Sequence, residues 1–204
     1  MIIVDGKVTT KMDLTGEERF GWVTSRLYNL FAKRGAFGVY EFASRDILKS
    51  GKAIKVLDVG TGPGNLPSML SAKSRKLRIW AIDPSPSMLS IAKRKTGNSQ
   101  VRFAIGYSQH VPFKEKFDII ASSISFHHWA HKKESLIYLS RFLKKGGEIR
   151  VYEMRKSGRR ILGHFSEMHR RSEEELRRAA DGSGLRVKEI VEHGRLIRAT
   201  YVMR

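Results

Sequence analysis

Val56-Leu57-Asp58-Val59-Gly60-Thr61-Gly62-Pro63-Gly64-Asn65 is an apolar run that ends in an acid and passes into three alternating glycines. With Ile54 ahead of it the run shows no polar alternation, which suits a parallel strand buried on both faces. The glycines mark where that strand stops. Lacking side chains, they permit positive φ and let the backbone approach a ligand, while the helix that follows turns its free amides toward the same point.

The flanking sequence continues the unit. Strands are expected at Ile54 to Val59, Leu77 to Ile82, Val101 to Ile105, Phe117 to Ser122 and Glu148 to Met154. Helical spacing fills most of the gaps, at Asn65 to Ala72, Pro86 to Lys95 and Lys132 to Lys144, the last closed by Gly146-Gly147. Upstream, Thr15 and Glu18 have capping-box spacing and open a helix to Lys33; Gly35 to Gly38 break it, and Val39, Phe42, Ile47 and Leu48 predict a second helix before Ser50-Gly51. Downstream, Ser172 and Glu175 open a helix that ends at Gly182-Ser183-Gly184. Two strand-like runs, Leu185 to Glu192 and Leu196 to Val202, then meet at a turn around His193-Gly194. The expected fold is α/β: a doubly wound, Rossmann-like sheet of seven strands, mostly parallel, with a C-terminal antiparallel hairpin.

A length of 204 residues, 41% of them hydrophobic, suits a single domain. Its parts are N-terminal cap helices (1–50), a cofactor-binding core (51–154), a basic lid segment (155–171) and the terminal helix and hairpin (172–204). No apolar run reaches the roughly 20 residues of a membrane span, and Met1 to Asp5 lack the charged lead of an export signal, so a soluble, cytoplasmic protein is expected. The absence of cysteine excludes disulfides, thiolate metal sites and cysteine nucleophiles. A formal charge of +19 favours a polyanion or an anionic membrane surface as partner, although the cations are scattered through the chain.

Ligands of an open parallel sheet sit beyond the carboxyl ends of the strands, where strand order reverses. The glycine loop belongs there. Asp83 ends the next strand, about 25 residues after Asp58, and a carboxylate so placed can accept from both hydroxyls of a ribose. A dinucleotide fingerprint needs a third glycine that brings the helix start onto a pyrophosphate, but Gly60, Gly62 and Gly64 alternate strictly. Asp58, two residues ahead of Gly60, would repel a pyrophosphate and attract a cation or an ammonium group. The phosphate-loop pattern of Lys and Ser or Thr is absent.

At these residues the chain resembles the class I S-adenosylmethionine-dependent methyltransferases, in particular the group similar to quinone-biosynthesis and small-molecule methyltransferases. Asp58-Val59-Gly60-Thr61-Gly62-Pro63-Gly64 is similar to the family's first motif, whose loop wraps the methionine part of the cofactor. Asp83-Pro84-Ser85-Pro86-Ser87-Met88 is similar to the second; the resemblance puts Asp83 on the ribose and Pro84 or Met88 near the adenine. Phe117 to Trp129 resembles the fourth strand and its substrate-facing end, with Ser123 at the cofactor, and Lys144 to Glu148 resembles the turn into the fifth. One position departs. Where the family commonly carries an acid for the adenine amino group, Gly106-Tyr107-Ser108-Gln109 has Tyr107, so adenine recognition is expected through the Tyr107 ring or hydroxyl, or through Ser108 or Gln109.

The resemblance implies S-adenosylmethionine as cofactor and methyl transfer to a small-molecule or lipid-like acceptor. An RNA acceptor, or a non-catalytic nucleic-acid-binding module on the same fold, is the alternative suggested by charge; a nicotinamide oxidoreductase is opposed by the glycine spacing. Two RNA chemistries lack their residues: the cysteine of pyrimidine carbon-five methylation, and the Pro-Pro-aromatic motif of adenine amine methylation, where Ser122-Ser123-Ile124-Ser125-Phe126 stands. His127 and His128 follow the fourth strand on the substrate side, where His127 is the candidate general base and both are candidate substrate contacts. Asp118 opens a strand at the far end and reads as structural. Arg155 begins the basic segment, in which Ile161, Leu162, Phe165 and Met168 recur at helical spacing, and it is the third candidate substrate contact. No metal site is expected, because no histidine comes with suitable carboxylates.

Overall fold

The structure, a computed structural model, describes residues 3–4, 7–8, 37–51, 55–97, 100–155, 170–171 and 173–204. A short antiparallel pair, β1 (Ile3–Val4) and β2 (Lys7–Val8), stands apart from the main sheet. The helix anticipated from Thr15 to Lys33, the amphipathic stretch around Ile161 to Met168, and Ser172 of the second capping box lie outside the described residues.

From residue 37 the expected alternation holds: α1 (Phe37–Lys49), β3 (Lys55–Val59), α2 (Asn65–Lys73), β4 (Arg78–Asp83), α3 (Pro86–Thr96), β5 (Val101–Ile105), β6 (Phe117–Ser123), α4 (Lys132–Ser140) and β7 (Leu143–Arg155). A two-residue strand β8 (Arg170–Arg171) follows, then α5 (Glu173–Arg178), β9 (Leu185–His193) and β10 (Leu196–Met203). The seven long strands lie in the order β5-β4-β3-β6-β7-β10-β9, with β8 added beside β7. Strands β3 to β7 pair in parallel, and β10 runs antiparallel to both β7 and β9. Strand order therefore reverses between β3 and β6, and the loop 60–64 leaves β3 at that reversal.

Alternate residues of each strand serve the two faces. Val56, Ile79, Ile119 and Tyr152 pack with Val39, Tyr40, Ala43 and Ile47 of α1 and with Leu66 and Leu70 of α2. Leu57, Trp80, Ile120 and Val151 pack on the other face with Leu136 and Leu139 of α4 and Leu176 of α5. Helix α1 thus lies against the sheet as part of the core.

Local differences from the sequence reading have physical causes. Helix α4 ends at Ser140, and Gly146-Gly147 fall inside β7, not at a helix end. Phe117 pairs with Leu143 but Ile119 with Glu148, so residues 144–147 bulge from the ladder. Gly146 takes φ +76°, and a Cβ on Gly147 would stand 2.9 Å from the Phe117 carbonyl oxygen, so the bulge needs both glycines. Gly38 lies within α1 and does not end a helix. The hairpin turn is Gly194-Arg195, one residue later than expected, because His193 pairs with Leu196.

A polar network under α1 was not anticipated. Asp46 accepts from Arg150 Nη1 at 2.9 Å, from the Tyr152 hydroxyl at 2.7 Å and from Arg198. Arg150 also donates to Glu148, and Arg198 to Glu189. Burial works against the charge of Asp46, but the Arg198 and Tyr152 hydrogen bonds and the two guanidinium charges hold its pKa below the usual carboxylate value. These bonds tie α1 to β7 and β10, beside the apolar contacts that Phe42 makes with Tyr152 and His193. Asp118 proves structural, accepting the Lys55 amide at 2.8 Å and Lys144 Nζ at 2.8 Å, which clamps the starts of β3 and β7 to β6.

Candidate active site

The glycine loop is held open by the end of β4. The amides of Gly60 and Thr61 both donate to the Ile82 carbonyl, at 2.9 and 3.0 Å, and the Gly64 amide closes a turn onto Thr61 at 3.0 Å. Gly60, Gly62 and Gly64 have φ of +73°, +53° and +76°, which L side chains rarely adopt. Their surroundings differ. A Cβ on Gly60 would overlap the Ser125 side chain and one on Gly64 would stand 2.7 Å from Ala92 Cβ, while one on Gly62 meets nothing within 4 Å. The outer glycines therefore serve close packing, and the middle one faces open space.

Two buried acids flank this opening. Asp58 is 1% exposed, and burial lifts its pKa to about 7, with the nearby charge of Asp83 adding to the rise. Asp58 Oδ1, Thr61 Oγ1 and Ser123 Oγ are buried with no hydrogen-bond partner among the described residues. Asp83, 7% exposed, accepts the Gly62 amide at 2.7 Å and the Ser85 amide at 2.9 Å; burial still raises it to about 6. A carboxylate oxygen has two lone pairs, so each keeps acceptor capacity.

Of the other residues singled out in the sequence, Pro84 and buried Met88 lie at the start of α3, where Ser85 caps the helix by accepting the Met88 amide at 3.4 Å. Pro63 is buried within the loop. Tyr107 and His110 exchange backbone hydrogen bonds at 3.0 and 2.9 Å and their rings lie 5.7 Å apart. That turn is anchored at its start by the Gly106 amide on the Asp83 carbonyl, 3.3 Å. The Ser108 hydroxyl lies 2.8 Å from that of Ser135 in α4, and Gln109 Nε2 donates to the His131 carbonyl at 3.5 Å, so both side chains have partners on the α4 side. Arg155 ends β7 paired with Glu192 and donates its amide to the Arg195 carbonyl at 2.8 Å, which ties it to the hairpin. Backbone pairing of β8 with the end of β7 sets Arg170 and Arg171 level with Met154 and Arg155.

Beyond β6 the chain makes a single 3-10 turn, Phe126–His128. His127 Nδ1 lies 3.2 Å from Glu153 Oε1, the same oxygen that accepts the His127 amide at 3.3 Å, and the two side chains are 2% and 0% exposed. The His128 ring is 3.9 Å from that of His127. Glu153 was missed because one acid near the end of an apolar strand looks like an ordinary strand terminus; only the β6–β7 pairing, Ser123 beside Tyr152, brings it to His127. Ser125 and Ile124 were missed too. Ser125 donates to the Val59 carbonyl at 2.7 Å and fills the space a Gly60 side chain would need. Ile124 is the one non-glycine among the described residues with positive φ, +52°, a conformation that costs about 1–3 kcal/mol and concentrates at functional sites.

The sequence profile of a methyltransferase domain family matches residues 56–147, which hold the loop, both acids and the 3-10 turn. A demethylmenaquinone methyltransferase of Thermotoga maritima is 31% identical over 101 residues, 49% of this chain and 43% of that protein. The chain spans less than half the length of the first curated relatives it matches, between 37% and 46% of each. Among solved structures, a SAM dependent methyltransferase from Aquifex aeolicus superposes with a TM-score of 0.73 at 23% identity, over 91% of this chain and 100% of that one. The O-methyltransferase NcsB1 of neocarzinostatin biosynthesis, in complex with S-adenosyl-L-homocysteine and 1,4-dihydroxy-2-naphthoic acid, gives 0.69 at 22% identity, over 88% and 57%. These two likenesses establish the fold, and the matched profile shows that residues 56–147 are similar to a methyltransferase domain.

Proposed function

We propose that the protein binds S-adenosylmethionine at the glycine loop and moves its methyl group to an ionisable ring hydroxyl of a small, quinone-like or aromatic molecule. The observation that carries the cofactor assignment is the set of orphaned buried polar atoms, Asp58 Oδ1, Thr61 Oγ1 and Ser123 Oγ, around a glycine that faces open space. A buried carboxylate oxygen without a partner is costly, and an ammonium group relieves that cost. Asp58 and Thr61 would hold the amino-acid end of the cofactor, the Gly60 to Gly64 backbone would lie against its body, and Asp83 would accept from its ribose. Pro84, Met88 and Tyr107 would border the adenine, and Ser123 would donate near the reacting end. When bound, the cofactor supplies a methyl group on positively charged sulfur, open to attack by an electron-rich atom.

The chain's own part is to position the acceptor, exclude water and take a proton. Glu153 Oε1 fixes the His127 ring and favours the proton on Nδ1, which leaves Nε2 as the basic nitrogen. Such a base would remove the hydroxyl proton of the acceptor as the methyl arrives, in a site drier than bulk water. His128 and Arg155 would border the acceptor. The relatives' names, a demethylmenaquinone methyltransferase and an O-methyltransferase complexed with a dihydroxynaphthoic acid, support an aromatic acceptor over RNA. No helix among the described residues is long and apolar enough to cross a membrane.

Transfer of labelled methyl from S-adenosylmethionine to 1,4-dihydroxy-2-naphthoic acid or a short-chain reduced demethylquinone tests the proposal. We expect turnover, a fall in kcat of about 100-fold or more in His127→Ala, and a displaced acid limb of the pH–kcat profile in Glu153→Gln. Full activity in His127→Ala would remove the base from the mechanism. Absence of transfer to any ring hydroxyl, alongside transfer to RNA, would overturn the acceptor class.

A further inference from the structure

The pole opposite the candidate active site carries a charge pattern that methyl transfer does not use. Four adjacent strands carry a cation at or near their first residue: Arg78 opens β4, Lys55 opens β3, Lys116 precedes β6, and Lys145 lies two residues into β7. Lys55 and Arg78 are register partners, as are Phe117 and Leu143. At the usual strand spacing the row is about 14 Å long. Lys73, Arg75 and Lys76 extend it on the β4 side, Arg141 lies in the connection from α4 to β7, and all four are exposed.

The acids within these segments are already engaged. Asp118 is held by Lys144, Glu115 faces Arg102 at 3.5 Å, and Glu148 is shared by Arg150 and Lys188. Arg78, Lys116 and Lys145 make no ion pair among the described residues. Helix C-termini favour a nearby cation, each by about 0.3–1 kcal/mol. One such site does not account for Lys73, Arg75, Lys76 and Arg78 within a single connection. Neighbouring cations at this spacing repel one another, and their shared field extends roughly a Debye length, about 8 Å, into solvent.

We propose that this pole is a docking surface for the phosphate backbone of single-stranded RNA, separate from the methyl-transfer site and independent of the acceptor assigned there. RNA fits better than a membrane. Of the large exposed apolar side chains among the described residues, only Met203 belongs to this pole, at the end of β10, while Phe37 and Ile105 stand at the other ends of their elements. Surfaces that seat on lipid combine cations with an apolar face. A membrane beneath this pole would also turn the glycine loop away from any lipid-borne acceptor.

Four backbone contacts on a single strand predict a slope of about −3 for log affinity against log salt, roughly a 50-fold loss between 50 and 200 mM. The test is fluorescence anisotropy of a labelled 20-nucleotide oligouridine with the full chain, Arg78→Glu/Lys145→Glu, and the control Lys93→Glu/Arg94→Glu, which changes net charge equally on α3. We expect at least a tenfold loss of affinity in the first double variant and less than threefold in the control, with both unfolding midpoints near that of the wild type. Equal losses would reduce the effect to diffuse net charge and overturn the docking surface. So would absence of oligouridine binding at 50 mM salt. Loss of sedimentation with vesicles containing 30% phosphatidylglycerol, with oligouridine binding intact, would assign the pole to membranes and overturn it as well. None of these readings requires methyl transfer, so failure of the proposed function remains distinct.

Discussion

Replacing Asp58 with Asn tests whether the loop stores a carboxylate for a cationic partner. Burial, reinforced by Asp83, lifts Asp58 from 3.8 to about 7 in the folded chain. Between those values the folded protein keeps a proton that the unfolded chain has released, so stability without ligand falls as pH rises through the window. Each pKa unit is worth 1.36 kcal/mol, so the whole shift corresponds to at most about 4 kcal/mol lost by pH 7. Asn cannot ionise and nearly matches Asp in shape. In urea unfolding without ligand, Asp58→Asn should match the wild type near pH 4 and exceed it increasingly up to pH 7.5. A residual slope should remain from Asp83, which is itself raised to about 6. The same variant should bind S-adenosylmethionine at least tenfold more weakly at pH 7.5, because the amide has no charge to balance an ammonium group. A ligand-free variant less stable than the wild type at pH 7.5, or a stability difference independent of pH, would refute the reasoning.

Other expectations are narrower. Gly60→Ala combines positive φ with overlap at Ser125 and should cost about 3 kcal/mol, lowering Tm by roughly 6–12 °C. Gly62→Ala meets no atom within 4 Å and should cost only about 1–2 kcal/mol in scanning calorimetry, yet weaken cofactor binding more than Gly60→Ala weakens it per unit of lost stability. Asp46→Ala leaves Arg150 and Arg198, whose side chains are 9% and 8% exposed, with one carboxylate fewer. It should cost about 2–3 kcal/mol in urea unfolding without changing cofactor affinity.

Most of the sheet was legible because a parallel strand buried on both faces must be largely apolar, and Val56, Leu57 and Val59, Ile79 to Ile82 and Ile119 to Ala121 meet that demand. The loop was legible because few residues other than glycine tolerate three nearby positive φ angles. Contacts that depend on strand order were not. Glu153 reaches His127, and Asp46 reaches Arg198, across 26 and 152 residues of sequence, and no local pattern encodes either distance. The glycines of the β7 bulge misled because a helix end and a bulge both ask for positive φ. The cationic row was hidden by the same effect: its members are scattered along the chain and meet only because parallel strands all begin at one pole.

Calorimetric titration of the full chain with S-adenosylmethionine at pH 7.5, in parallel with Asp83→Ala, tests the central claim most directly. Saturable one-site binding, weakened at least tenfold in Asp83→Ala, is the predicted result. No heat of binding at millimolar cofactor, or equal affinity in the two proteins, would contradict the assignment of the glycine loop.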